Sequence, residues 1–100
     1  MKLYVILQST FSRGMACAQA IHAAFAFSRQ HPDVVDSWKS DNNVVVLVHD
    51  PAEPLEALQE RLTGLGLKTS AFREPDLGHQ MTALCAEPNA RPHLRELRLA

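Results

Sequence analysis

What this chain has little of narrows it first. Its two cysteines, Cys17 and Cys85, stand far apart and form no C-x-x-C pair, which leaves neither a zinc signature nor a disulfide framework. Both fall in apolar segments, so two buried free thiols are expected. Neither sign of charge dominates: ten Lys and Arg against eleven Asp and Glu give a formal net charge of -1. Proteins that hold nucleic acid by counterion release are basic, so contact with nucleic acid here would need a local cluster of Arg and Lys. No apolar run reaches the length of a membrane span, and the opening MKLYVILQST is too short for a secretory core with its cleavage site. The expectation is a soluble, cytoplasmic protein with no membrane association. Its five histidines lack metal-ligand spacing, and neither a metal nor a cofactor is expected.

What is present describes a globular chain. Apolar residues make up 46% and charged residues 21%, a composition that folds. One hundred residues suit a single domain, spanning 1–100, that buries somewhat over ~60% of its unfolded surface. LYVILQ (Leu3 to Gln8) and NVVVLVHD (Asn43 to Asp50) are continuously apolar and rich in strand formers, the pattern of strands covered on both faces. Between them a helix capped by Ser12 or a neighbouring hydroxyl runs to about Gln30, where His31-Pro32 stops it. Ala18, Ile21, Phe25 and Ser28 recur at helical spacing and read as its inward stripe. PDVVDSWKSDNN has turn composition, suiting a packed loop or one helical turn. HDPAEPLEALQERLTGLG predicts a second helix, with Asp50 as its cap and Pro51 in its first turn. Leu55, Leu58, Leu62 and Leu65 lie inside, and Gly64 or Gly66 ends it. KTSAFRE and MTALCAE read as two more strands, and PNARPHLRELRLA as a short helix with Leu94 and Leu97 inward.

The expected element order is β-α-β-α-β-β-α. The first three strands run parallel through helical crossovers, and the link EPDLGHQ makes the third and fourth antiparallel. An α/β fold follows: a three-layer α/β/α sandwich on a mixed four-stranded sheet.

Ligands of open α/β sheets collect beyond the carboxyl ends of the strands. Three segments can meet there: STFSRG, HDP and REPDLGHQ. The first offers Ser9, Thr10, Ser12, Arg13 and free helix-start amides, which suit an anion. The third packs Arg73, Glu74, Asp76, His79 and Gln80 into one loop, dense for chemistry but also the composition of a solvated β-turn. Gln19 and His22 are three apart and share a helix face. A histidine among alanines is either a packing residue or a helper in chemistry. Asp76 and His79 are a base with its orienter, or turn residues. His31, His49 and His93 show no partner.

The helix stretch SRGMACAQAIHAA resembles the signature of type II peptidyl-tRNA hydrolases, G-K-x-A-A-Q-x-x-H-A. Gly14, Ala18, Gln19, His22 and Ala23 fall in register, and Cys17 replaces the first alanine. Trp38 ahead of NNVVVLV, then LEALQERLTGLGLKTSAFRE, then MTALCAEP are similar to later parts of that family, so the resemblance runs from about Lys2 to Pro88. It implies the same sandwich fold and hydrolysis of the ester between a peptide and the 3′ end of tRNA. It also implies the tRNA 3′ end or an acylated nucleotide as partner, and a homodimer whose interface could use Trp38 or Phe27. Met15 stands where the family has a lysine. Asp76 is the counterpart of the family's aspartate, with Glu74 as the alternative. The loop threonine has no clear match; His79 or Gln80 stands near its place, and Thr82 fits the threonine that opens the last strand. The implied catalytic set is Asp76 with His22 and His79. The implied substrate-binding set is Arg13, Gly14, Gln19, Gln80 and Thr82. The alternative is a module of the same fold without turnover, binding tRNA, a nucleotide or a protein.

Overall fold

Alternate residues of the first strand supply two separate cores, and everything else is arranged around that division. In β1 (Lys2–Leu7), Leu3, Val5 and Leu7 join one apolar cluster while Tyr4 and Ile6 join another. A strand presents successive side chains to opposite faces, so a strand apolar at both parities must be covered twice. The computed structural model describes residues 2–8, 11–37, 43–50 and 52–100. Ser9, Thr10, Trp38 and Pro51, named above, lie outside these.

Helices α1 (Arg13–Gln30) and α2 (Pro32–Ser37) cover one face, and α3 (Leu55–Gly64) covers the other. The remaining strands are β2 (Asn43–Val48), β3 (Thr69–Glu74), β4 (Gln80–Ala86) and β5 (Arg98–Leu99). The sheet is mixed, in the order β3-β4-β1-β2-β5. β1 and β2 pair in parallel, and β4 runs antiparallel to both β1 and β3. The chain moves one way across the sheet through α1 and back the other way through α3. The change of face matches the change of direction, as a single crossover hand requires.

The sheet has five strands where four were expected. The tail forms a 3-10 segment, Pro88–His93, and then β5 on the free edge of β2. Pro92 explains the difference, because inside the segment it lacks the amide that an α-helical ladder needs. Leu94 is buried and Leu97 packs against the α3-side core, so those two point inward as expected from a different backbone. Residues 32–37 form the single helical turn foreseen as one option.

The orientation of α1 also differs. Its buried residues are Gln19, Ala23 and Phe27, with Ala16 and Ala20 against the same core. Ile21 is 53% and Phe25 64% exposed. Small residues at 16, 20 and 23 let the helix lie close to the sheet, and Phe27 fills the wider end. The stripe through Ile21 and Phe25, expected inside from its helical spacing, faces solvent, and the helix sits on its alanines. Phe27 belongs to the core.

At the start of α1, Ser12 caps as expected: its hydroxyl accepts from the Met15 amide at 3.4 Å. α3 begins differently. Asp50 accepts from the Ala52 amide at 2.9 Å in a local turn, and Pro54 precedes the helix without a side-chain cap. The Leu55 amide instead donates to Gln8 Oε1 at 2.7 Å, so a residue just past β1 satisfies one orphan donor of a distant helix. Leu55, Leu58 and Leu62 are buried as predicted, but Leu65 is 57% exposed. It lies beyond the helix, where Gly66, at φ 80°, reverses the chain. The Leu67 amide donates to the Leu62 carbonyl at 3.1 Å, closing the Schellman motif that a left-handed glycine permits.

Among the described residues no helix is long and apolar enough to cross a membrane. The thiols part company: Cys17 is exposed and Cys85 is buried in β4. Burial pushes the Cys85 thiol from its usual 9.0 up to about 12. The thiolate is the nucleophile, so at pH 8 a thiol reagent is expected to modify one cysteine, Cys17, in the native protein and both after denaturation. Two rapidly modified thiols in the native state would contradict this packing.

Candidate functional site

α1 lies antiparallel along β3, and the contacts between them read as a ladder. His31 Nε2 donates to the Thr69 carbonyl at 2.9 Å, and the Ser70 hydroxyl donates to Gln30 Oε1 at 2.6 Å. The His22 ring stacks on Phe72 with centroids 4.3 Å apart and planes 13° from parallel. Gln19 Nε2 donates to Glu74 Oε1 at 3.0 Å. As β3 proceeds, its partners on α1 retreat towards the helix start. Ser70, Phe72 and Glu74 therefore share the α1 face, which is the period-two rule of a strand.

The last rung is the most polar and the most enclosed. Gln19 is 1% exposed. Besides its bond to Glu74, its Oε1 accepts from the Thr82 hydroxyl, and its Nε2 lies 3.3 Å from Met15 Sδ. One side-chain amide thus joins the first turn of α1, the end of β3 and the start of β4. A buried amide left without partners is costly, and here both of its ends are satisfied.

A fault in the sheet makes this possible. The β3–β4 pairing shifts between Phe72, opposite Ala83, and Arg73, opposite Met81, so Thr82 is the unmatched residue. Met81 and Leu84 belong to the core on the α3 side and Ala83 to the core on the α1 side. Regular alternation would send Thr82 away from α1. Its hydroxyl nonetheless bonds Gln19, so Thr82 and Ala83 face α1 in succession. Re-aiming a side chain is what a bulge does.

The structure sorts the residues expected to form the site. Gln19 and Thr82 meet Glu74, with His22 one helical turn further along. Asp76 follows in the exposed 3-10 turn Pro75–Leu77, at the same end of the sheet. Among the described residues its carboxylate has no hydrogen bond to Gln19 or His22. His79 and Gln80 are exposed on the same hairpin, with Gln80 opposite Glu74 in the register. His79 adopts φ 61° beside Gly78 at 64°. Its amide donates to the Glu74 carbonyl at 2.9 Å, and its carbonyl accepts from Arg73 at 3.2 Å. Arg13 lies on the other flank of α1, lining an apolar groove with Cys17, Ile21, Val46 and Ala100. Gly14 is exposed, and a Cβ there would meet nothing within 4 Å, so no close approach within the chain requires glycine.

Three participants escaped the sequence reading. Phe72 carries the His22 ring, and only its place in an alternating strand hinted at that. Gln8 was assigned to a strand end and instead holds α3. His49 is 2% exposed on the opposite face of the sheet, with Nε2 3.6 Å from Glu53 and no partner for Nδ1 among the described residues. Beyond it, Glu53 accepts from Arg61, and that bond holds the Glu53 carboxyl below its usual 4.5. No group of three or more His, Cys, Asp or Glu among the described residues is arranged to hold a metal ion.

Removing the central amide should cost stability. Gln19→Ala leaves the Thr82 hydroxyl and one Glu74 oxygen without their partner, a loss of about 1–3 kcal/mol. Urea denaturation should show a lower midpoint with an unchanged slope, whereas an unshifted midpoint would mean that the bridge carries no stability.

No curated protein sequence matches the chain. A family model does: the one described as peptidyl-tRNA hydrolase PTH2 matches residues 1–97 of the 100. With its α/β fold and mixed sheet, this chain belongs to the PTH2 peptidyl-tRNA hydrolase family.

Proposed function

We propose that this protein hydrolyses the ester joining a peptidyl group to the 3′ end of tRNA, with Glu74 as its general base. The observation that carries this reading is the Gln19 bridge. A buried amide holds Oε1 of Glu74, and Oε2 has no hydrogen-bond partner among the described residues. A carboxylate fixed by one oxygen can present the other to a water. The water oxygen attacks the ester carbonyl carbon as Glu74 takes its proton. The tetrahedral oxyanion then collapses, the bond to the 3′ oxygen breaks, and the proton returns from Glu74 to that oxygen. Asp76 and His79, on the hairpin that follows, border the approach, and His22 borders it from the helix. In this reading Glu74, the alternative counterpart of the family's aspartate, takes the role that the resemblance gave first to Asp76. Gln19 and Thr82 act through Glu74 as positioning residues.

The weak point of such a site is the oxyanion. Where the family resemblance calls for a lysine, Met15 packs its thioether against the Gln19 amide. Loss of one oxyanion donor commonly costs about 10²- to 10³-fold in rate, so slow turnover is expected. The same contact favours the second reading, a module that binds the acylated tRNA end without hydrolysing it, because a neutral side chain occupies the place of the cation.

Release of peptide from peptidyl-tRNA by the purified protein decides between them. Glu74→Gln is expected to slow release at least tenfold, about 1.4 kcal/mol of barrier. Asp76→Asn is expected to change it less, and Met15→Lys to raise it. A rate indifferent to Glu74→Gln but lowered tenfold by Asp76→Asn would return the base to Asp76. No release, together with salt-sensitive tRNA binding, would establish the binding module.

A further inference from the structure

Beyond the Gln19 bridge, the ladder between α1 and β3 opens into a second feature. His22, Phe25, Ala26, Ser28, Arg29 and Phe72 line a cavity of about 400 Å³. His22, Phe25, Ala26 and Arg29 recur at spacings of three and four, one face of the helix. Phe72 is on β3, an edge strand of the sheet, so the cavity opens at the side of the molecule. Two aromatic rings already lie nearly parallel in it, His22 is exposed, and Phe25 keeps 64% of its surface in solvent.

We infer that this cavity receives the terminal nucleobase of the acylated tRNA, stacked against His22 and Phe25. The inference rests on the function proposed above and names the part of the substrate that the neighbouring site holds. Unpaired bases are bound by stacking on aromatic rings and on arginine planes. This cavity offers a histidine on a phenylalanine, a solvent-facing phenylalanine and the Arg29 guanidinium. Its position agrees. Phe72 and Glu74 share one face of β3 two residues apart, about 7 Å along the strand, and Gln19 and His22 differ by about 4.5 Å along the helix. An ester at Glu74 would therefore leave its own base one ribose ring away, beside His22. Stacking also suits a chain of net charge -1, since it takes hold of a strand end without a broad basic surface.

The probe is the free trinucleotide CCA, the end that every tRNA carries, titrated into the full chain and compared with the same trinucleotide lacking its terminal base. CCA carries no ester, so its binding is independent of turnover. CCA is expected to bind at least about fivefold tighter than the abasic form. Phe25→Ala and His22→Ala should each remove most of that difference, and Phe72→Leu, which keeps an apolar side chain under the ring, should weaken it. Phe25 is exposed, so the melting temperature of Phe25→Ala should match that of the unaltered protein. Equal affinity for the two trinucleotides, or no binding of CCA, overturns the inference. So does displacement of CCA by an N-acetylated peptide amide, which would assign the cavity to the acyl group. Peptide release without base discrimination leaves the hydrolase reading standing and this one refuted; base discrimination without release does the reverse.

Discussion

The arrangement turns on one primary amide. Gln19 carries a donor and an acceptor on a single rigid plane, and the structure uses them in opposite directions, one towards a carboxylate at the end of β3 and the other towards a hydroxyl at the start of β4. A glutamate in its place could not donate, and a leucine would leave both partners stranded in a buried site. Because the residue is almost wholly enclosed, its two bonds fix how far α1 slides along the sheet. The rungs below it, His22 on Phe72 and His31 on Thr69, follow from that setting. The polar bridge therefore serves packing and, in the proposed function, chemistry as well.

That dual service bears on how the site can evolve. Charge is sparse around the bridge: Arg73 points to the opposite face, where its guanidinium lies 3.5 Å from Glu56. Glu74 is thus held by neutral groups. In the proposed reading this leaves the carboxylate available as a base while giving little help to a developing oxyanion. On the proposed function, a scaffold with such a base and no cation beside it would still have the shape to recognise a substrate. Recognition and turnover are separable in that reading, because they would rest on different turns of one helix.

Much of this was legible in the chain, for identifiable reasons. Leu3 to Leu7 and Asn43 to Val48 announce doubly covered strands by being apolar at both parities. The Gln19–His22 spacing put two polar groups on one helix face, and the short link after Glu74 demanded an antiparallel return. Other features carry no local signal. Thr82 faces α1 because of a register shift, which depends on how two strands meet. The rotation of α1 is not set by spacing alone, since Ala18, Ile21 and Phe25 recur as regularly as Ala16, Ala20 and Ala23, while contact with a sheet favours the smaller residues of the second stripe. In the tail, the leucine spacing of PNARPHLRELRLA fits a helix, although Pro92 denies it an interior amide. Glu74 and Asp76 look equally available in the chain, one at a strand end and the other in a turn; that Gln19 bonds Glu74 is a contact between distant elements with no local signal.

The small fifth strand has a bearing on solubility. β2 reads NVVVLV, an uncharged run of strong strand formers of the kind that recruits further strands when its flank is bare. Arg98 and Leu99 occupy the far half of that flank, and the Ala100 amide reaches the Val46 carbonyl at 2.9 Å. Two paired residues add little to the core. They deny a valine-rich template to other molecules, and they set a guanidinium beside it as a gatekeeper against fibrous stacking.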